Sequence, residues 1–150
     1  VFRGHYEHAI DAKGRTSVPS RFREALASPD SRRFVLTTGL DRCLVAYPMA
    51  AWEAFEARLA ELPRFDPSVA NIRRIYVSSA VDLEMDKLGR VLVPATMRHY
   101  AGLEREALWA GMGDHLELWS KPLFDALRND VLADAQTREE MAVRLAELGL

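Results

Sequence analysis

Asp11-Ala12-Lys13-Gly14-Arg15-Thr16-Ser17-Val18-Pro19-Ser20-Arg21-Phe22-Arg23 returns as Asp86-Lys87-Leu88-Gly89-Arg90-Val91-Leu92-Val93-Pro94-Ala95-Thr96-Met97-Arg98. Asp, Gly, Arg, Val, Pro and a second Arg recur at one constant offset of 75 residues. An internal repeat of this kind signals a duplicated architecture. Within each copy, Asp11/Asp86 and Gly14/Gly89 are what a tight turn requires: a carboxylate that accepts backbone N–H groups and a residue free to adopt a left-handed backbone. Turn geometry makes no demand for arginine at Arg15 and Arg90, nor again at Arg23 and Arg98. A guanidinium at the mouth of each turn suits an anionic partner, gripped through a fork of donors.

Outward from the repeat, each half reads as strand, turn, strand, helix, strand, helix. Gly4 to Ile10 and Val81 to Met85 alternate as strands, Thr16–Val18 and Val91–Val93 are β-prone returns, and a hairpin is predicted in each half. Pro19 and Pro94 suit the first turn of short helices over Ser20–Leu26 and Ala95–Tyr100. Further strands follow at Phe34–Gly39 and Ala107–Gly111, then Leu44–Tyr47 and Leu116–Trp119, the last pair 72 residues apart. Helices are predicted over Met49–Leu62 and Pro122–Ala133. Asp66-Pro67 reads as an N-cap followed by proline, opening a bridging helix to about Tyr76. Thr137 with Glu140 fits a capping box for a last helix to Leu148.

The chain has 150 residues, about one average domain, so the halves 1–76 and 77–150 are expected to form one unit. Apolar content of 49% and charged content of 28% are ordinary for a soluble globular protein. No apolar run reaches membrane-spanning length, the first residues lack a signal-peptide core, and the single Cys43 fits a reducing cytoplasm. The net charge of −2 is unevenly spread: residues 1–33 hold seven Lys/Arg against four Asp/Glu, and residues 101–150 hold five against ten. This distribution suggests a basic working face and an acidic far side.

Two similar turns in one chain are expected to pack about an approximate two-fold axis. Arg15 and Arg90 then become symmetry mates on one surface, with Lys13 and Lys87 close by. Two basic prongs on a β platform suit adjoining stretches of DNA groove, where phosphates supply affinity and base edges supply choice. Arg3, His5, Arg21, Arg32 and Arg33 are further candidate phosphate contacts. The first turn is expected to dominate, because Asp82 and Glu84 make the second less basic.

Phe2-Arg3-Gly4, Asp11-x-Lys13-Gly14-Arg15 and Pro19-x-x-Phe22-Arg23, followed by Asp86-x-x-Gly89-Arg90-x-x-x-Pro94-x-x-Met97-Arg98-x-Tyr100-Ala101-x-Leu103, resemble the MraZ family of bacterial transcription regulators over essentially the whole chain. The resemblance implies an α+β fold: a pseudo-two-fold double repeat forming an AbrB-like swapped-hairpin β-barrel with flanking helices. It implies that Asp11/Arg15 and Asp86/Arg90 are the DNA-contact elements. It further implies binding to double-stranded DNA at repeated promoter elements ahead of division and cell-wall genes, usually as autoregulation. Ring-shaped homo-oligomers, at work on the nucleoid in the cytoplasm, are implied as well. Met97 stands where the family usually has leucine, and Val1 replaces the initiator methionine, as an alternative start codon would explain. A head-to-tail ring presents its DNA faces in one rotational sense, so direct repeats are the expected target, with avidity adding to weak single contacts.

Other chemistry finds little footing. His5 and His8 fall on opposite faces of a strand, and His99 and His115 lack zinc-ligand spacing, so no metal is expected. Cys43 reads as a small buried residue, and Ser17 and Ser20 lack a nucleophile elbow. Glu53/Glu56 and Glu139/Glu140 read as solvated helix faces, while Trp52, Phe55, Leu59, Trp109 and Trp119 read as core. No cofactor, small-molecule ligand or enzymatic activity is expected. The competing possibility is a self-assembling scaffold whose motif arginines, with Arg73 and Arg74, clamp neighbouring subunits.

Overall fold

In the computed structural model, which describes residues 1–150, eight strands and six helices follow the predicted order. They are β1 (His5–Ala9), β2 (Arg15–Ser17), α1 (Arg23–Leu26), β3 (Arg33–Thr38), β4 (Leu44–Pro48), α2 (Met49–Ala60) and α3 (Pro67–Ile72). The second half supplies β5 (Val81–Glu84), β6 (Arg90–Leu92), α4 (Ala95–Ala101), β7 (Glu106–Gly111), β8 (Leu116–Ser120), α5 (Lys121–Ala133) and α6 (Ala135–Glu147). The fold is α+β and entirely antiparallel, with a six-stranded sheet in the order β1-β7-β8-β4-β3-β5 and a two-stranded ribbon of β2 and β6.

That order exposes the duplication. β1 corresponds to β5, β7 to β3 and β8 to β4, so an approximate two-fold axis passes between β8 and β4 and through the ribbon. Registers agree: Ala9 faces Glu106 as Glu84 faces Arg33. The predicted hairpins of β1 with β2 and of β5 with β6 do not form as ladders within a half. Beyond the turn bond from Asp11 N to Arg15 O (2.9 Å), β1 ladders with β7 of the other half, β5 with β3, and β2 with β6. The halves are exchanged strand for strand, as the swapped-hairpin resemblance implies.

The ladders stop short of a single closed barrel. β2 and β6 are three residues each, limited by the turn glycine on one side and by Pro19 and Pro94 on the other, where a missing N–H cannot extend a ladder. One further bond continues the ribbon at each end: Val18 N to Gly89 O (2.9 Å) and its mate Val93 N to Gly14 O (3.0 Å). Between ribbon and sheet lies the main core, where Val18, Val93, Phe34, Leu116 and Trp109 are fully buried. The ring N–H of Trp109 donates to Ser17 O at 3.0 Å, so the largest core side chain ties sheet to ribbon. Helices cover the other sheet face, over a smaller cluster of Cys43, Val45 and Trp119.

Helix ends show where local signals competed. Asp66 caps α3, accepting from Ser68 N (2.8 Å), as predicted. The bridging helix reaches Val77, but its last turn, Arg73–Val77, widens to a π-turn. Thr37 and Thr38 hydroxyls donate to the carbonyls of Tyr76 (2.6 Å) and Ile75 (2.9 Å), satisfying groups at the helix's end. Pro19 and Pro94 sit at the N-cap, one residue earlier than predicted. The predicted Thr137 cap is displaced by Asp134, whose carboxylate accepts from Thr137 N at 3.0 Å, so α6 begins at Ala135. A carboxylate following the end of α5 is the stronger acceptor, and Thr137 becomes its donor. No helix is long and apolar enough to cross a membrane.

Candidate nucleic-acid interface

Each repeat turn is built around its carboxylate. One oxygen of Asp11 accepts from Lys13 N (3.0 Å) and Arg15 N (2.9 Å), and the other accepts from Arg15 Nε (2.7 Å). Asp86 reproduces this with Leu88 N (2.9 Å), Arg90 N (2.9 Å) and Arg90 Nε (2.8 Å). The amide of Arg15, foremost, and then its guanidinium hold the Asp11 carboxyl below the usual carboxylate range, against an opposing desolvation. Arg90 does the same for Asp86. Each arginine is thus held through Nε, and its terminal N–H groups remain for an external acceptor. A bidentate reader of base edges or phosphates needs this arrangement.

The ribbon sets the two forks side by side. Arg15 faces Leu92, Thr16 faces Val91 and Ser17 faces Arg90. Thr16 and Val91 point into the core, so Arg15, Ser17, Arg90 and Leu92 share the outer face. Arg15 and Arg90 are diagonal neighbours there, roughly 7–8 Å apart at Cα by antiparallel geometry. Lys13 and Lys87 are exposed and form no ion pair.

Arg23 and Arg98 occupy a different position. Both are half-buried, and Arg23 Nε donates to Val18 O (2.9 Å) as Arg98 Nε does to Val93 O (3.0 Å). The Arg23 guanidinium covers Gly89 of the other repeat: a Cβ there would fall 2.2 Å from its Cζ. The Arg98 guanidinium covers Gly14, with a Cβ at 2.6 Å. The backbone is left-handed at both glycines, φ +90° at Gly14 and +79° at Gly89, and both are buried beneath the arginine of the opposite repeat. The sequence offset reveals that these residue types recur together. It does not reveal which copy's arginine meets which copy's glycine.

Arg3 stands apart, separated from the first turn by the length of β1 and grouped with Arg21 and Phe22. Strand exchange also brings basic residues of the first half to the second turn. Glu84 lies across from Arg33, and Arg23, Arg32 and Lys87 line a recess of about 250 Å³ beside the second turn with Glu24 and Asp86. Charge counted along the chain does not show this, because Arg23, Arg32 and Arg33 belong to the first half. Sequence reasoning also missed the exposed Leu88 and Leu92, which replace Lys13 and Ser17 and make the second turn's surface more apolar.

The remaining candidates are structural. Cys43 is buried, and burial, with Glu117 and Asp41 nearby, pushes its thiol up to about 12. Trp52, Leu59, Trp109 and Trp119 are core, and Phe55 packs on Trp52 (5.0 Å). His5 packs edge-on against Phe124, His115 stacks on Tyr47, and burial, then Arg23, lowers the pKa of His8. No three His, Cys, Asp or Glu side chains converge as a metal site would require. Arg73 and Arg74 bond within their own chain, to Leu59 O (3.5 Å) and Asn71 Oδ1 (3.0 Å).

Fold and site together define a class: a duplicated, strand-exchanged α+β unit with two carboxylate-buttressed arginines on one ribbon. Comparison with known proteins gives the family. The chain matches the family model described as "MraZ protein, putative antitoxin-like" over residues 1–75 and 77–145, and it belongs to the MraZ family. It is 39% identical over 150 residues to "Transcriptional regulator MraZ" of Acetivibrio thermocellus, covering 100% of both chains. Its identity to the protein of that name from Pelotomaculum thermopropionicum is 41%, over 100% of this chain and 99% of the relative. With the Marinomonas protein of the same name it is 40%, over 97% and 100%.

Proposed function

We propose that this chain is a non-enzymatic, sequence-specific regulator of transcription that binds double-stranded DNA through the outer face of its β2–β6 ribbon. The carrying observation is the pair of forks, Arg15 held by Asp11 and Arg90 held by Asp86, side by side on one exposed surface. Because each arginine is already neutralised by its own carboxylate, net charge is not its contribution. Directed donors are, and they suit base edges such as guanine, while the unpaired Lys13 and Lys87 suit phosphates. Relatives that carry the printed name transcriptional regulator, at about 40% identity over full length, support the same reading.

Residues 1–76 and 77–150 act as two half-units that complete one another's sheet. Self-association into a ring is supported by apolar side chains left exposed on the helical side, among them Phe65, Ile75, Leu127, Met141 and Leu145. Such a ring, bound to direct repeats in DNA upstream of its own gene within a division and cell-wall cluster, would place the protein on the nucleoid. The test is a footprint on that upstream DNA, with mass determination of the assembly alongside. Protection at regularly spaced direct repeats is expected, lost in Arg15→Ala while the assembly mass is unchanged. If Arg15→Ala instead yields monomers, the arginines clamp subunits and the scaffold reading replaces this one.

A further inference from the structure

We propose that Arg23 and Arg98 are positioning residues that work in exchange: Arg23 braces the second DNA-contact turn and Arg98 braces the first. The inference rests on the DNA-binding reading above and concerns which residue governs which fork.

The geometry forms a closed circuit. Arg23 Nε donates to Val18 O, Val18 N donates to Gly89 O, and the Arg23 guanidinium lies over Gly89 itself. Gly89 immediately precedes Arg90, so a plane anchored at Val18 fixes the backbone from which the second fork springs. The mate circuit runs from Arg98 to Val93, from Val93 N to Gly14 O, and back over Gly14, which precedes Arg15. A third residue type would break either circuit. Any side chain at Gly14 or Gly89 would displace the guanidinium, and lysine at 23 or 98 lacks both the planar group and the Nε donor. Neither arginine is ion-paired to a carboxylate, so the bonds to carbonyls and the cover over glycine are what hold them in place.

The consequence is an exchange of dependence that linear sequence hides. Arg23 lies only eight residues beyond Arg15, yet it governs Arg90. Both forks are held by the opposite repeat, so neither half can present its turn without the other. The two contacts are then set in fixed relative position before DNA arrives, which lowers the ordering cost on binding.

A double-mutant cycle reads this directly, with a duplex of the protein's own upstream DNA as probe. Arg15→Ala and Arg90→Ala are each expected to weaken binding about tenfold or more, as for loss of one bidentate contact. Arg23→Ala should weaken it comparably, add little to Arg90→Ala, and multiply with Arg15→Ala. Arg98→Ala should show the reverse pairing. Arg23→Lys separates bracing from phosphate contact, since it keeps the charge: bracing predicts a loss close to that of alanine. Should Arg23→Ala fail to fold, amide exchange in Arg23→Lys carries the test, with faster exchange at Gly89 and Arg90 and none at Gly14 and Arg15. The proposal is overturned if Arg23 couples to Arg15, if Arg23→Lys binds like the parent protein, or if the first turn loosens instead. Unchanged binding by Arg15→Ala and Arg90→Ala would refute the DNA-binding reading itself, and the exchange data would still decide the brace.

Discussion

Gly89→Ala isolates the brace energetically, because Gly113 provides a matched control. Both glycines have a left-handed backbone, φ +79° at Gly89 and +91° at Gly113. A Cβ at Gly113 meets nothing within 4 Å, whereas one at Gly89 falls 2.2 Å from Arg23 Cζ. Backbone strain alone costs roughly 1–2 kcal/mol for a non-glycine residue in this region, so Gly113→Ala should lose about that much. At Gly89 the guanidinium must also swing away and surrender its bond to Val18 O, a half-buried interaction worth about 1 kcal/mol. The flexible side chain can move, so no larger steric penalty applies. Gly89→Ala should therefore fall about 1 kcal/mol below Gly113→Ala, a further drop of about 2–4 °C in Tm for a chain of this size. Thermal unfolding at one fixed protein concentration is the assay, since the proposed self-association would make Tm concentration-dependent. In an Arg23→Ala background the difference between the two glycine variants should vanish. Equal losses from both glycines in the parent protein would refute the reasoning.

Two further outcomes follow from the protonation chemistry. The Asp11 and Asp86 carboxyls are held below the ordinary value of 3.8, so unfolding raises their proton affinity. Their contribution to stability is full above the ordinary carboxylate value and is lost as pH falls through the lower, folded value. Carboxyl-carbon resonances should report both midpoints below 3.8, and Arg15→Ala should move Asp11 upward and leave Asp86 in place. Cys43, pushed up to about 12 by burial, should resist a thiol-specific reagent at pH 8 until the protein unfolds; rapid labelling of the native state would contradict its placement.

Element types were legible because periodicity and punctuation act locally: Asp66-Pro67 opened a helix where a cap and a fixed φ agree. Asp134 shows the limit of the same reasoning. The sequence pattern points to a cap at Thr137, and the structure places it three residues earlier, at Asp134. Strand pairing was less accessible still. β1 and β2 carry all the local marks of a hairpin, and nothing in their composition says that β1 pairs with β7. The forks Asp11/Arg15 and Asp86/Arg90 could be found from the repeat, since their hydrogen bonds lie within five residues. The brace could not, because Arg23 and Gly89 are brought together only by exchange of strands. That exchange also explains why charge summed along the chain does not show the basic neighbours of the second turn, Arg23, Arg32 and Arg33, which come from the first half.

The central claim is that carboxylate-held arginines on the ribbon contact DNA. It is tested most directly by the affinity of Arg15→Ala, Arg90→Ala and the double variant for the protein's own upstream DNA, measured across a salt series with assembly mass monitored. The account predicts a loss of about tenfold or more in each single variant, a greater loss in the double, and an unchanged assembly. Full affinity in the double variant, or loss of affinity only where the assembly has fallen apart, would contradict it.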